Sequence, residues 1–86
     1  MDQELRPELA AFAKIMESRL KENAHRGDWR SYNFYYLAAC LTANLGHMIR
    51  AYQAEKLESI PKSAVDTANY AMMISDLCGG LVPRKR

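Results

Sequence analysis

Apolar side chains recur every three or four positions along most of this chain, and the places where that rhythm fails divide it into three segments. Leu5, Leu9, Phe12, Ile15, Met16 and Leu20 predict an amphipathic helix over about residues 4–24. Pro7 falls in its first turn, where a missing N–H removes no hydrogen bond. The pattern weakens at Asn23, His25 and Gly27, so "HRGDW" reads as a connection. Phe34, Leu37, Leu41, Leu45, Met48, Ile49 and Tyr52 then predict a second helix, capped by Ser31 and running to about Leu57. Gly46 interrupts its middle at a cost of about 1 kcal/mol relative to alanine, which predicts close approach of a neighbouring helix. In "ESIPKSAVD" Ser59 caps and Pro61 opens a third helix, carried by Val65, Ala68, Met72, Ile74 and Leu77. Cys78, Gly79 and Gly80 end it, and Pro83 prevents its resumption.

No stretch alternates with the period of two that a strand needs, so the fold class is all-α. The expected architecture is an antiparallel helical hairpin with an additional N-terminal helix, in one domain over residues 1–83 followed by a basic tail, 84–86. A domain of 86 residues buries only about 60% of its unfolded surface, yet 49% of this chain is hydrophobic. Part of the apolar surface is therefore expected to meet further copies, completing a helical bundle as a dimer or tetramer.

The formal charge is +2, but Arg84, Lys85 and Arg86 carry it and the remainder is slightly acidic. A basic end without a basic face argues against polynucleotide binding. Cys40 and Cys78 lie in no metal or redox spacing and read as small hydrophobes in a reducing compartment. No apolar run approaches the roughly 20 residues that span a bilayer, so no membrane association is expected and the expected location is the cytoplasm, that of the host if the protein is viral.

Two polar constellations stand out. Asn33, Tyr36, Cys40, Asn44 and His47 follow three-and-four spacing on the second helix, and Asp66, Asn69, Tyr70 and Met73 do so on the third. If those helices pack antiparallel, the two stripes face each other. The connection "AHRGDWRSYNFYY" adds His25, Arg26, Trp29 and Arg30 among tyrosines. Guanidinium groups offer directed donors for phosphate oxygens, and indole or phenol rings offer planes on which a base stacks. Taken alone, Trp29 reads better as a staple holding the loop on the helices, Asp66 as a carboxylate favoured near a helix N-terminus, and His47 as a satisfied core histidine.

The runs "MESRLKENAHRGDWRSY", "YYLAACLTANLGHMIRA" and "IPKSAVDTANYAMMISD" resemble the small phage-type members of the MazG-like, all-α nucleoside triphosphate pyrophosphohydrolase superfamily, and the likeness extends from residue 9 to residue 79. Hallmarks of that family are an Asn/His-Lys-Gly-Gly-Trp-like turn, a Glu-Glu-x-x-Glu helix, and a Glu-x-x-Asp helix continuing as Val-Ala-Asn-Phe-Ala-Met-Met. The resemblance implies carboxylates that hold Mg²⁺ against a triphosphate. Here the positions expected to be acidic are Ala43, Asn44, His47 and Ser63, and only Asp66 is retained. Mg²⁺ needs several oxygen ligands in octahedral geometry, so this set implies a lost metal site and no resident cofactor.

The resulting expectation is a catalytically silent MazG-like protein that binds or sequesters a nucleotide or a nucleotide-derived signal of bacterial immunity, cyclic or otherwise modified. Its predicted ligand-binding residues are His25, Arg26, Trp29, Asn33, Tyr36, Asn44, His47, Asp66, Asn69 and Tyr70. Asn44 and protonated His47 would donate directly to a phosphate. The alternative is an active Mg²⁺- or Mn²⁺-dependent pyrophosphohydrolase with displaced acids, such as Asp66 with Asp76 or glutamates of a partner subunit, or a transition metal on His47 and Asp66.

Overall fold

The computed structural model describes residues 4–81. Within them the chain forms three α-helices, α1 (Pro7–Glu22), α2 (Phe34–Gln53) and α3 (Ile60–Leu77), joined by short 3₁₀ turns at Ala24–Arg26, Trp29–Ser31 and Leu57–Ser59. No strand occurs among the described residues. The basic tail and Pro83 lie outside them.

α1 opens on Pro7, as expected, after Arg6 in an extended conformation. The connection is more ordered than a loop. Gly27 sits at φ +93°, a backbone conformation that side-chain-bearing residues avoid, and a Cβ there would meet nothing within 4 Å. The glycine is needed for the turn itself rather than for room. Beyond it, the Asp28 carboxylate accepts from the Arg30 backbone N–H at 3.0 Å and starts the second 3₁₀ turn.

α2 begins three residues later than Ser31. The cap is Asn33, whose side-chain oxygen accepts from the Tyr36 N–H at 2.8 Å, whereas the Ser31 hydroxyl is turned back onto the Asp28 carbonyl. The helix also stops short of Leu57, because Glu55 adopts a left-handed conformation (φ 59°) and the Lys56 N–H closes onto the Ala51 carbonyl at 2.8 Å. α3 ends where its glycines predict, with the Gly80 N–H on the Ser75 carbonyl.

α2 and α3 share the broadest interface, and α1 packs on α3 more narrowly. Leu37 and Val65 are the fully buried apolar side chains among the described residues. Phe34, Leu45, Ile49 and Tyr52 on α2, and Leu9 and Ile15 on α1, remain substantially exposed. Cys78 is exposed as well, contrary to the reading of both thiols as packed hydrophobes, while Cys40 is half-buried. Gly46 has a different neighbour from the helix its position predicts: a Cβ there would meet the Arg50 guanidinium, at 3.2 Å from Nη1. Among the described residues no helix is long and apolar enough to cross a membrane.

Candidate functional site

Where the end of α1, the two 3₁₀ turns and the facing sides of α2 and α3 converge, they leave a cavity of about 430 Å³. That is within the range of small-molecule sites. Seven of the ten residues predicted from sequence line it: Arg26, Trp29, Tyr36, Asn44, Asp66, Asn69 and Tyr70. The other three do not. Asn33 is spent on capping α2, and His25 is exposed on the first 3₁₀ turn. His47 lies on exposed surface with its Nδ1 3.1 Å from Arg50 Nη2. Asn44 and His47 are thus not a pair facing Asp66, because the cavity wall on α2 stops before His47 comes round.

Arg19 is the principal residue that the sequence reading missed. Its Nε and Nη2 donate to Asp66 Oδ1 and Oδ2, each at 3.0 Å, in a bidentate ion pair between side chains that are both 19% exposed. This bond with Asp66 holds the guanidinium pKa above its ordinary value, against the opposing effect of burial, and Glu22 adds to the rise through a short contact on the outer side. Asn23 and Asp28 also line the cavity unforeseen, and Tyr32 lines it as one of the phenols of the aromatic connection, though it is not among the ten.

Asn69 is 4% exposed, and its Nδ2 donates to the Met16 carbonyl at 3.1 Å, tying α3 to α1. That bond fixes which way the amide points, and its Oδ1 has no hydrogen-bond partner among the described residues. Asn44 Nδ2 donates to the Cys40 carbonyl one turn back at 2.9 Å, a bond that uses one of its two N–H groups.

Trp29 does serve as a staple. Its Nε1 donates to Asp76 Oδ2 at 3.1 Å, and Asp76 is a buried residue of α3 that Arg30 Nε also approaches at 3.6 Å. The Arg30 guanidinium lies 4.6 Å from the centre of the indole ring. Arg30 thus occupies one face of an indole that still lines the cavity.

Three phenols complete the wall. The rings of Tyr32 and Tyr36 are 4.7 Å apart, and the Tyr32 hydroxyl donates to the Arg26 carbonyl at 3.0 Å, holding the first turn over the cavity. Burial first, and then the Cys40 thiol, push the Tyr70 phenol up from its ordinary value; hydrogen bonding with Cys40 does the same for Tyr36. Both therefore stay protonated as neutral donors across the physiological range.

The residues present do not fit the Mg²⁺ cage that the family resemblance implies. Both oxygens of Asp66 are engaged by Arg19, and His47 is outside the cavity. Asp76, named above as a displaced acid, is held by Trp29 and Arg30 and does not line it. Among the described residues no group of three or more histidine, cysteine or acidic side chains is placed to hold a metal ion. What the arrangement offers is aromatic planes, guanidinium and phenol donors, and one unmatched amide acceptor.

No family model, no curated protein and no solved structure matches the chain.

Proposed function

We propose that this protein captures a nucleotide or a nucleotide-derived molecule in the cavity between α1, α2 and α3 without hydrolysing it, as a catalytically silent relative of the MazG-like pyrophosphohydrolases. The observation that carries this reading is the combination of Trp29, Tyr32, Tyr36 and Tyr70 with Arg26 around one cavity of about 430 Å³. Flat heteroaromatic ligands gain from stacking on such rings, by about 1–3 kcal/mol per base, and a guanidinium supplies a directed donor for a phosphate oxygen. The engagement of Asp66 by Arg19 supports capture over turnover, because it occupies the carboxylate that a metal would need.

The same reading makes α2 and α3 an antiparallel hairpin completed by further copies of the chain. Its support is the exposed row Leu45, Ile49 and Tyr52 on α2, whose four-and-three spacing keeps these side chains on one face.

A thermal-shift and calorimetric screen against nucleosides, nucleotides and cyclic nucleotides tests capture directly, since a ligand that binds only the folded form raises its melting temperature. A saturable ligand with no product formed is the expected result. Pyrophosphate release from deoxynucleoside triphosphates in Mg²⁺ or Mn²⁺, abolished by Asp66→Asn in a protein that still melts cooperatively, would replace this reading with that of a rearranged pyrophosphohydrolase. Sedimentation analysis gives the number of copies.

A further inference from the structure

We infer that the cavity selects a ligand bearing one phosphoryl group, whether monoester or diester, and discriminates against nucleoside triphosphates. The inference rests on the nucleotide-binding reading and narrows its ligand class. Three guanidiniums, Arg19, Arg26 and Arg30, stand at or beside the cavity, together with four carboxylates, Glu22, Asp28, Asp66 and Asp76. Two of the guanidiniums are committed. Arg19 is forked onto Asp66 and touches Glu22, and Arg30 bonds Asp28 at 2.9 Å while approaching Asp76. Arg26 lines the cavity and has no ion pair with any described carboxylate.

One unmatched cation balances the single charge of a phosphodiester and about half the charge of a monoester. A triphosphate would bring roughly three or four negative charges into a neighbourhood already rich in carboxylates, with no second uncommitted guanidinium among the described residues of the cavity unless the Arg19–Asp66 pair broke. Charge thus sets an upper limit on the phosphate count.

Asn69, which also lines the cavity, is the candidate for a second point of selection. Its Oδ1 is a buried acceptor without a partner in a residue that lines the cavity, and its amide orientation is fixed by the bond to Met16. Such an atom is satisfied by a donor, and the ring N–H or exocyclic amine of a base supplies one.

The test is calorimetric titration of the full chain in EDTA with four ligands for each common base: the nucleoside, its 5′-monophosphate, the methyl ester of that monophosphate, and the triphosphate. At least one of the two single-phosphate forms is expected to bind tenfold or more tightly than both the nucleoside and the triphosphate. The tighter of the two identifies monoester or diester. Arg26→Gln, on an exposed residue, is expected to keep the melting temperature and erase the advantage over the nucleoside. Removing the donor from the preferred base, as purine riboside does for adenosine, is expected to weaken binding at least fivefold. A triphosphate bound as tightly as the single-phosphate forms overturns this inference and leaves nucleotide binding standing. Single-phosphate binding indifferent to Arg26→Gln also overturns it. No binding by any of these ligands or by the cyclic nucleotides overturns both.

Discussion

α2 meets α3 over the broadest interface of the molecule and buries Leu37 completely, whereas α1 and the turns after it meet α3 more narrowly and through directional polar bonds. Those bonds are Arg19 to Asp66, Asn69 to the Met16 carbonyl, and Trp29 to Asp76, each linking residues 47 or more apart in sequence. Apolar contact is strong but tolerant of small shifts, while a forked ion pair or an amide bond holds only in one register. The difference teaches that the α2–α3 side supplies the greater part of the cohesion and the α1 side supplies the placement. The cavity lies where placement matters, and its walls are positioned by a handful of bonds.

Removing cohesion should cost most. Leu37→Ala is expected to lower stability by about 2–5 kcal/mol, with all helices lost in one transition, as read by circular dichroism in a urea titration. A separate, earlier loss of α1 would mean that the two sides are not cooperative. Removing placement should cost less and act locally. Asp66→Asn, which ends the ion pair with Arg19, is expected to cost about 2 kcal/mol and to speed amide exchange in α1 more than in α2. Uniform exchange across the three helices would dissolve the distinction.

Trp29→Phe keeps a ring in the wall and deletes the donor to Asp76. The expected loss is about 1–2 kcal/mol of stability with ligand affinity nearly retained, whereas Trp29→Ala should weaken binding by more than it weakens folding. Equal losses in both properties would leave Trp29 a staple alone. A smaller effect follows from pH. The phenol of Tyr70 titrates above its ordinary value of 10.0 in the folded protein, chiefly through burial, so the folded form holds its proton more tightly than the unfolded form. Its stabilisation is complete below pH 10 and is lost as pH rises through the raised folded value. Denaturation series at pH 8 and above 10 should show that fall, and Tyr70→Phe should flatten it.

Smallest of all is Gly46→Ala. The new methyl displaces only the exposed, flexible Arg50 guanidinium, so stability is expected to rise by up to about 1 kcal/mol. A fall that deepens with protein concentration would instead place another copy's helix against Gly46.

The helices were legible because their apolar spacing is local information. Ends were less so: Ser31 and Asn33 are equally good caps by residue type, and the Asp28 carbonyl, by taking the Ser31 hydroxyl, leaves the role to Asn33. Nothing in the residue types near Glu55 announces its left-handed conformation, since glycine is absent there. Most of the cavity wall was legible from the two polar stripes and the aromatic connection. Arg19 was not, because Glu22 beside it suggests an ordinary surface pair, and its partner Asp66 is 47 residues away. A signal existed: Phe12, Met16, Arg19 and Asn23 continue three-and-four spacing, which places the arginine on the packed face. His47 failed for the converse reason. Sequence spacing aligned it with Asn44, but how far the cavity extends along α2 depends on where the turns fold over it.

The bond between Trp29 and Asp76 has a practical corollary. This is the chain's sole indole, and it borders the cavity while anchoring the connection between α1 and α2 to α3. Its emission is therefore an intrinsic optical reporter: release from the carboxylate and arrival of a ligand against the ring alter the surroundings of one chromophore, with no label attached.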